Sequence, residues 1–142
     1  MNRTDFQRLA DLRIGDGEAL FSARRYAGAY YIAGYAVESA LKACIAKKVR
    51  KHDFPDRKTV NDSYQHDLVK LLDVTELKIK LDEKRKSDGT FNANWAVVKD
   101  WSSQMRYERK ISRKTARDFC PLSLTPGTEY CDGYRRSGKQ RH

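Results

Sequence analysis

The longest apolar run in this chain, YAGAYYIAGYAVESALKACIAKKV from Tyr26 to Val49, constrains most strongly what it can fold into. Tyr30, Gly34, Val37, Leu41 and Cys44 recur at three- and four-residue steps, the spacing of one helical face. Ala33, Ala36, Ala40 and Ala43 widen that face with small side chains, so neighbouring backbones can approach closely. Gly28 and Gly34 each cost a helix about 1 kcal/mol relative to alanine, and close packing is the expected compensation. The stretch therefore predicts the central helix of an all-α core. Glu38 and Lys42 argue against a membrane span, because charges are rare at the centre of such a helix. With the acid four residues ahead of the base, the two have the favourable order for an ion pair on a helix surface.

A chain of 142 residues fits one domain and can bury roughly two-thirds of its extended surface. Three prolines and eight glycines suit helices better than a many-turned β architecture. The N-terminus, MNRTDFQRLADL, is polar and amphipathic and does not read as a secretory leader. Cys44, Cys120 and Cys131 are odd in number and lack Cys-x-x-Cys spacing, so neither a disulfide scaffold nor a zinc site is signalled. A cytoplasmic protein with no membrane contact is the expectation. The formal net charge of +10 is the strongest compositional signal. An excess of this size favours polyanions, RNA and DNA foremost, with steep salt dependence.

In chain order, Thr4 and Gln7 have the spacing of a capping box, and Phe6, Leu9, Ala10, Leu12 and Ile14 supply an apolar face. One long helix from Asp5 to Arg25 is expected, with two shorter ones as the alternative. Tyr26 to Gly28 either continues it into the central helix or hinges the pair into an antiparallel hairpin. The charged stretch KKVRKHDFPDRKTVNDSYQ lacks periodicity and reads as a long loop. His66 to Asp73 is a short amphipathic helix with Leu68, Leu71 and Leu72 inward, and Glu76 to Arg85 a possible second. Asp88-Gly89 signals a turn. Asn92 to Tyr107 reads as one helix with Trp95, Val98, Trp101 and Met105 on a stripe, the two tryptophans serving a core or a dimer interface. Ser112 can cap a last helix through Phe119. The helical domain thus spans 1–119, and residues 120–142, with two prolines and three glycines, form an irregular tail.

Candidate site residues are few. Arg106 and Tyr107, followed by Arg109 and Lys110, place a stacking plane among phosphate-binding cations, a combination used for single-stranded nucleic acid. Arg113 and Lys114 extend the cluster, which a solvated basic connector would also explain. Glu38, the only acid of the central helix, serves either as a functional carboxylate or as half of the surface pair with Lys42. His66 either orients a phosphate or a catalytic group, or bonds a neighbouring loop. No Gly-rich phosphate loop, nucleophile elbow or metal-spaced cluster occurs, so no cofactor and no metal are expected.

The run DFQRLADLRIGDGEALFSARRYAGAYYIAGYAVESALKACIAK, then HDLVKLL, then NWAVVKDWSSQMRY, resembles the HEPN domain family of prokaryotes. GAYYIAGYAVESALKA is its most specific piece, and the resemblance covers Asp5 to Phe119. It implies an up-and-down bundle of four to five helices with the two long N-terminal helices as core, and a homodimer. It also implies association with RNA in toxin–antitoxin, antiviral or stress-response systems, often beside a minimal nucleotidyltransferase. Active members cleave RNA without metal, using an arginine and a histidine four to six residues apart, contributed by both subunits to one cleft.

Arg106 stands where that arginine could be, near the end of the fourth helix. The positions where histidine should follow carry Ile111, Ser112 and Arg113, none of which moves protons at neutral pH as histidine does. Arg135 and Arg136 precede His142 at acceptable spacing, but in the tail, which reads as chance. The family pattern also carries a hydrophobic helix to the C-terminus, whereas this sequence breaks at Pro121. An altered gene end is one account of that break, testable by translating the other reading frames for an apolar helical continuation.

The resulting expectation is a non-catalytic, homodimeric module that binds RNA or a nucleotide through Arg106, Tyr107, Arg109 and Lys110. Glu38 and His66 are expected to line the same cleft. The alternatives are a metal-independent ribonuclease toxin, in which Arg106 acts with His66 or Glu38, and a protein-interaction partner of a nucleotidyltransferase.

Overall fold

The computed structural model describes residues 2–51 and 57–119, except for the side chains at positions 50 and 51. Among the described residues the chain is all-α and forms a helical bundle. Its helices are α1 (Arg3–Ser22), α2 (Tyr26–Lys51), α3 (Arg57–Ser63), α4 (Leu68–Thr75), α5 (Lys78–Ser87), α6 (Gly89–Val98) and α7 (Arg113–Phe119). A single 3-10 turn, Ser103–Tyr107, lies between the last two. The elements are thus more numerous and shorter than the expected four to five helices, while the two long N-terminal ones hold their predicted place. The tail at 120–142 and the break at Pro121 lie outside the described residues.

Helix α2 is the hub. It packs along α1 and against α4, α7 and the 3-10 turn. From Ala36 to Leu41 every residue is buried, so this segment is covered on all sides. Its alanines permit that enclosure, and Tyr30, Val37, Leu41 and Ile45 join the leucines of α4 and Phe91, Trp95 and Val98 of α6 in one core. The Tyr30 ring meets Phe119 of α7 edge-on, with centroids 4.9 Å apart.

Gly34 shows why a glycine sits in this helix. A Cβ placed there would lie 1.8 Å from Cε2 of Trp101, so the indole occupies the volume a side chain would need. The close packing expected of Gly34 is therefore present. At Gly28 a Cβ would meet only Leu20, at 3.5 Å.

Short-range signals set the ends of the elements. Asn2 caps α1 through a reciprocal box with Asp5: the Asp5 amide donates to the Asn2 side chain at 2.9 Å, and the Asn2 amide to Asp5 at 3.0 Å. That box replaces the Thr4–Gln7 pair expected from sequence, because Asn and Asp cap at least as well and begin the helix two residues sooner. The other end of α1 closes in a Schellman arrangement: the Arg25 amide donates to Leu20 at 2.8 Å and the Arg24 amide to Phe21 at 3.0 Å. Arg24 takes the left-handed position at φ 62°. This reversal over Ala23–Arg25 makes α1 and α2 a hairpin, the second of the two arrangements left open by the sequence.

Two expectations are corrected. The stretch after α2 is not loop throughout, for 57–63 form α3, with Lys58 four residues ahead of Asp62 at 2.8 Å; residues 52–56 lie outside the described part. Asn92 to Tyr107 is not one helix. Asp88 caps α6 by accepting from the Phe91 amide at 3.0 Å, so Asp88-Gly89 starts a helix as well as turning the chain. Helix α6 then stops at Val98, and Ser102 restarts the chain as a 3-10 turn by accepting from the Gln104 amide at 3.3 Å. Trp95, Val98 and Trp101 are all buried as the stripe implied, yet Trp101 reaches the core from the connecting bend, where it covers Gly34. Helix α7 begins where expected, with Ser112 Oγ accepting from the Thr115 amide at 3.1 Å. Cys44 is buried on α2.

Candidate functional site

Glu38 lies midway along the enclosed part of α2, where its residue is only 5% exposed. The surface ion pair expected with Lys42 is instead a largely buried one: Lys42 Nζ donates to Glu38 Oε1 at 2.8 Å. The distinction matters energetically. An exposed pair contributes about 0–1 kcal/mol, whereas removing one partner of a buried pair costs about 3–5 kcal/mol.

A second group completes the pair. The loop before α4 carries His66, and Asp67, the N-cap of α4, fixes that loop by accepting from the Lys70 amide at 3.1 Å. His66 Nδ1 thereby comes within 2.8 Å of the same Oε1 of Glu38. A carboxylate can only accept, so Nδ1 carries the proton and Nε2 is left as the imidazole's second working nitrogen. The His66 side chain is 56% exposed, so the ring runs from a buried anchor to solvent. Oε2 of Glu38 is buried and has no hydrogen-bond partner among the described residues.

Tyrosines and a tryptophan surround this group. The Tyr35 ring stands edge-on to His66 at 6.0 Å and to Trp101 at 5.1 Å. Its hydroxyl is 3.5 Å from that of Tyr31, one turn earlier. That hydrogen bond, followed by burial and the nearby Glu38 charge, pushes the Tyr35 phenol up to about 12, with the Arg106 cation acting in the opposite direction. Tyr35 therefore remains a neutral hydroxyl through the physiological range. The structure brings Glu38 and His66 together, keeps Lys42 on Glu38 as its expected ion-pair partner, and adds Tyr35. Neither tyrosine was singled out from sequence, because both look like ordinary members of the apolar run.

The basic cluster lies beside this group. Arg106, Tyr107, Arg109 and Lys110 are all exposed. The Arg106 guanidinium sits 4.8 Å above the Tyr107 ring, within the range of a cation–π contact. Arg106 is on the 3-10 turn rather than at the end of a long helix, and that turn packs against α2. Its charge acts on Tyr35, lowering the phenol's pKa against the other causes, while the His66 ring stands edge-on to Tyr35. Arg109 and Lys110 continue into the connector, with no ion pair to a carboxylate among the described residues. Arg113 is drawn back toward the core, its guanidinium 5.6 Å from the Phe21 ring, and Lys114 faces Asp118 at 3.9 Å.

Among the described residues no three His, Cys, Asp or Glu side chains are grouped so as to hold a metal ion. No helix there is long and apolar enough to cross a membrane. No family model, no curated protein and no solved structure matches this chain.

Proposed function

We propose that this chain is a HEPN-like module that binds RNA or a nucleotide and works as a homodimer. One observation carries the reading: Arg106, stacked on the exposed Tyr107 ring, is followed by Arg109 and Lys110, and none of the three cations is neutralised by a carboxylate among the described residues. Unpaired cations around an exposed ring offer phosphate contacts and a stacking surface in one place. The net charge of +10 adds long-range attraction for a polyanion. The resemblance to the HEPN family supplies the dimer and the toxin–antitoxin, antiviral or stress-response setting.

A second reading, a metal-independent ribonuclease, rests on the geometry of His66. Its Nδ1 is anchored on Glu38 and its ring is half exposed. Carboxylate-oriented imidazoles serve as general bases and acids. In such a cleavage Nε2 takes the proton of a ribose 2′-hydroxyl as that oxygen attacks the adjacent phosphorus. The 5′-oxygen leaves with a proton from an acid, and Arg106 offsets the charge gathering on the phosphate. This histidine precedes the arginine in the chain, unlike the order the family pattern implies.

The deciding experiment is incubation with mixed single-stranded and structured RNA in EDTA, with binding and cleavage read on the same samples. Wild type is compared with Arg106→Ala and His66→Ala, and light scattering gives the oligomeric state. Salt-sensitive binding without cleavage, weakened by Arg106→Ala, supports the binding module. Cleavage lost in either variant supports the ribonuclease. If neither binding nor cleavage occurs, both readings fail and a partner protein such as a nucleotidyltransferase takes their place.

A further inference from the structure

The turn that closes α1 against α2 carries an arginine where a glycine would be at ease. Arg24 takes a left-handed conformation at φ 62°, which glycine adopts without the steric penalty that a side chain brings. Residues held in such conformations concentrate where their side chains are used. The Schellman bonds from the Arg24 and Arg25 amides to the Phe21 and Leu20 carbonyls hold this backbone in place. They leave Arg24 and Arg25 exposed at the tip of the hairpin. A third arginine reaches the same tip. Arg113, the first residue of α7, is exposed, and its guanidinium lies 5.6 Å from the Phe21 ring. Phe21 in turn packs on Tyr26, with centroids 5.5 Å apart, so the hairpin turn and the start of α7 share one end of the bundle.

None of these three cations is neutralised. Arg13, Arg85 and Arg117 each face an aspartate, at 2.9, 3.5 and 3.7 Å. Arg24, Arg25 and Arg113 have no ion pair to a carboxylate among the described residues. Asp118, the one acid of α7, already faces Lys114 and Arg117. The chemistry of the cluster favours carboxylates over bases. A guanidinium is a planar fork that a carboxylate meets with two parallel hydrogen bonds. Single-stranded RNA also uses rings on which its bases stack. Here both rings are half-buried and tilted at 58° to each other, and Arg113 lies over Phe21. The ring that does offer a stacking face is Tyr107, 68% exposed, and it belongs to the basic cluster described above.

We propose that Arg24, Arg25 and Arg113 form a docking surface for an acidic segment of a partner protein, whose Asp and Glu side chains the guanidinium forks receive. The net charge of +10 steers such a segment toward the chain from a distance. The surface uses none of Arg106, Tyr107, Arg109 and Lys110, so it stands or falls apart from the RNA reading of those residues.

The test is fluorescence anisotropy of a labelled peptide rich in Asp and Glu, titrated with the full-length protein beside single-stranded and duplex RNA of the same length. Arg24→Gly, Arg25→Gln and Arg113→Gln should each weaken the peptide about tenfold, as expected for losing one charge-assisted hydrogen-bonding group. Arg109→Gln and Lys78→Gln remove the same charge elsewhere and should weaken it less than about twofold, since separated surface charges are screened. Arg24→Gly is the sharpest variant, because it should raise the melting temperature while it weakens binding, and a purely structural role would move both the same way. Arg113→Lys keeps the charge but loses the fork, and should weaken the peptide nearly as much as Arg113→Gln. Peptide binding retained in Arg109→Gln while RNA is weakened supports two separate surfaces. Peptide affinity unchanged in the three turn variants, or lowered as much by Arg109→Gln and Lys78→Gln, overturns the proposal. So does a larger effect of the turn variants on either RNA than on the peptide, which gives the surface to nucleic acid.

Discussion

His66 Nδ1 and Glu38 Oε1 lie 2.8 Å apart across a sequence separation of 28 residues, joining the loop before α4 to the most enclosed part of α2. The contact ties a half-exposed ring to a buried carboxylate that already holds Lys42. It makes the stability of the bundle and the geometry of the candidate site depend on the same atoms.

Glu38→Ala leaves a largely buried ammonium and an oriented imidazole without their acceptor, and should cost about 3 kcal/mol. Lys114→Ala breaks an exposed pair at 3.9 Å and should cost under about 0.5 kcal/mol. Urea unfolding midpoints of the two variants decide the matter. Equal shifts would mean that the Glu38 group contributes no more than a surface pair.

Gly34→Ala should destabilise by about 2 kcal/mol or more, since the added methyl overlaps Trp101. Gly15→Ala meets nothing within 4 Å and should stabilise α1 by about 1 kcal/mol. Thermal melts should therefore move in opposite directions. A neutral Gly34→Ala would show that the indole does not cover that glycine.

Arg24 holds a left-handed conformation at φ 62°, which costs a side-chain-bearing residue about 1 kcal/mol. Arg24→Gly should relieve this and raise the melting temperature by a few degrees. An unchanged or lowered value would count against the closure of α1 described above.

Tyr35 keeps its proton up to about 12 in the folded chain, against an ordinary value of 10.0. The folded state thus binds more protons than the unfolded state between those values. The stabilisation from Tyr35 is full below about pH 10 and is lost as pH rises toward 12. Tyr30 is shifted in the same direction, by burial and then by Asp100, and reinforces the trend. Tyr31→Phe removes the largest cause acting on Tyr35, so ultraviolet titration should show one phenol ionising at lower pH in that variant. If the titration curve does not move, the two hydroxyls are not coupled.

If single-stranded RNA lies on the basic cluster, Arg109→Ala and Lys110→Ala should each lower the slope of log affinity against log salt by about 0.7. Lys78→Ala, on α5, should leave the slope unchanged. Identical slopes in all three would place the RNA elsewhere.

Local order was legible in the sequence wherever short-range physics decides it. The three- and four-residue spacing from Tyr30 to Cys44 marked α2, and Ser112 marked the start of α7, because periodicity and capping act within a few residues. The Trp95, Val98 and Trp101 stripe identified core residues correctly but not their backbone. An apolar side chain can reach the core from a bend as well as from a helix, and Trp101 does so because Gly34 leaves it room. Candidate site residues fared likewise. Glu38, His66 and Arg106 were visible as residue types, yet Glu38 as half of a surface pair differs from Glu38 buried with two donors on one oxygen. Tyr31 and Tyr35 carried no distinguishing signal, since an aromatic on an apolar face looks the same whether its hydroxyl is solvated or bonded.

Composition and local pattern by themselves determined an all-α chain built on one small-residue helix, with a strong positive charge. Only the tertiary structure decided that α6 stops at Val98, that Trp101 folds over Gly34, and that His66 meets Glu38. The physical reason is range. Propensity, periodicity and caps are settled within one or two helical turns, whereas burial and the pairing of residues 28 positions apart depend on how the helices pack against one another.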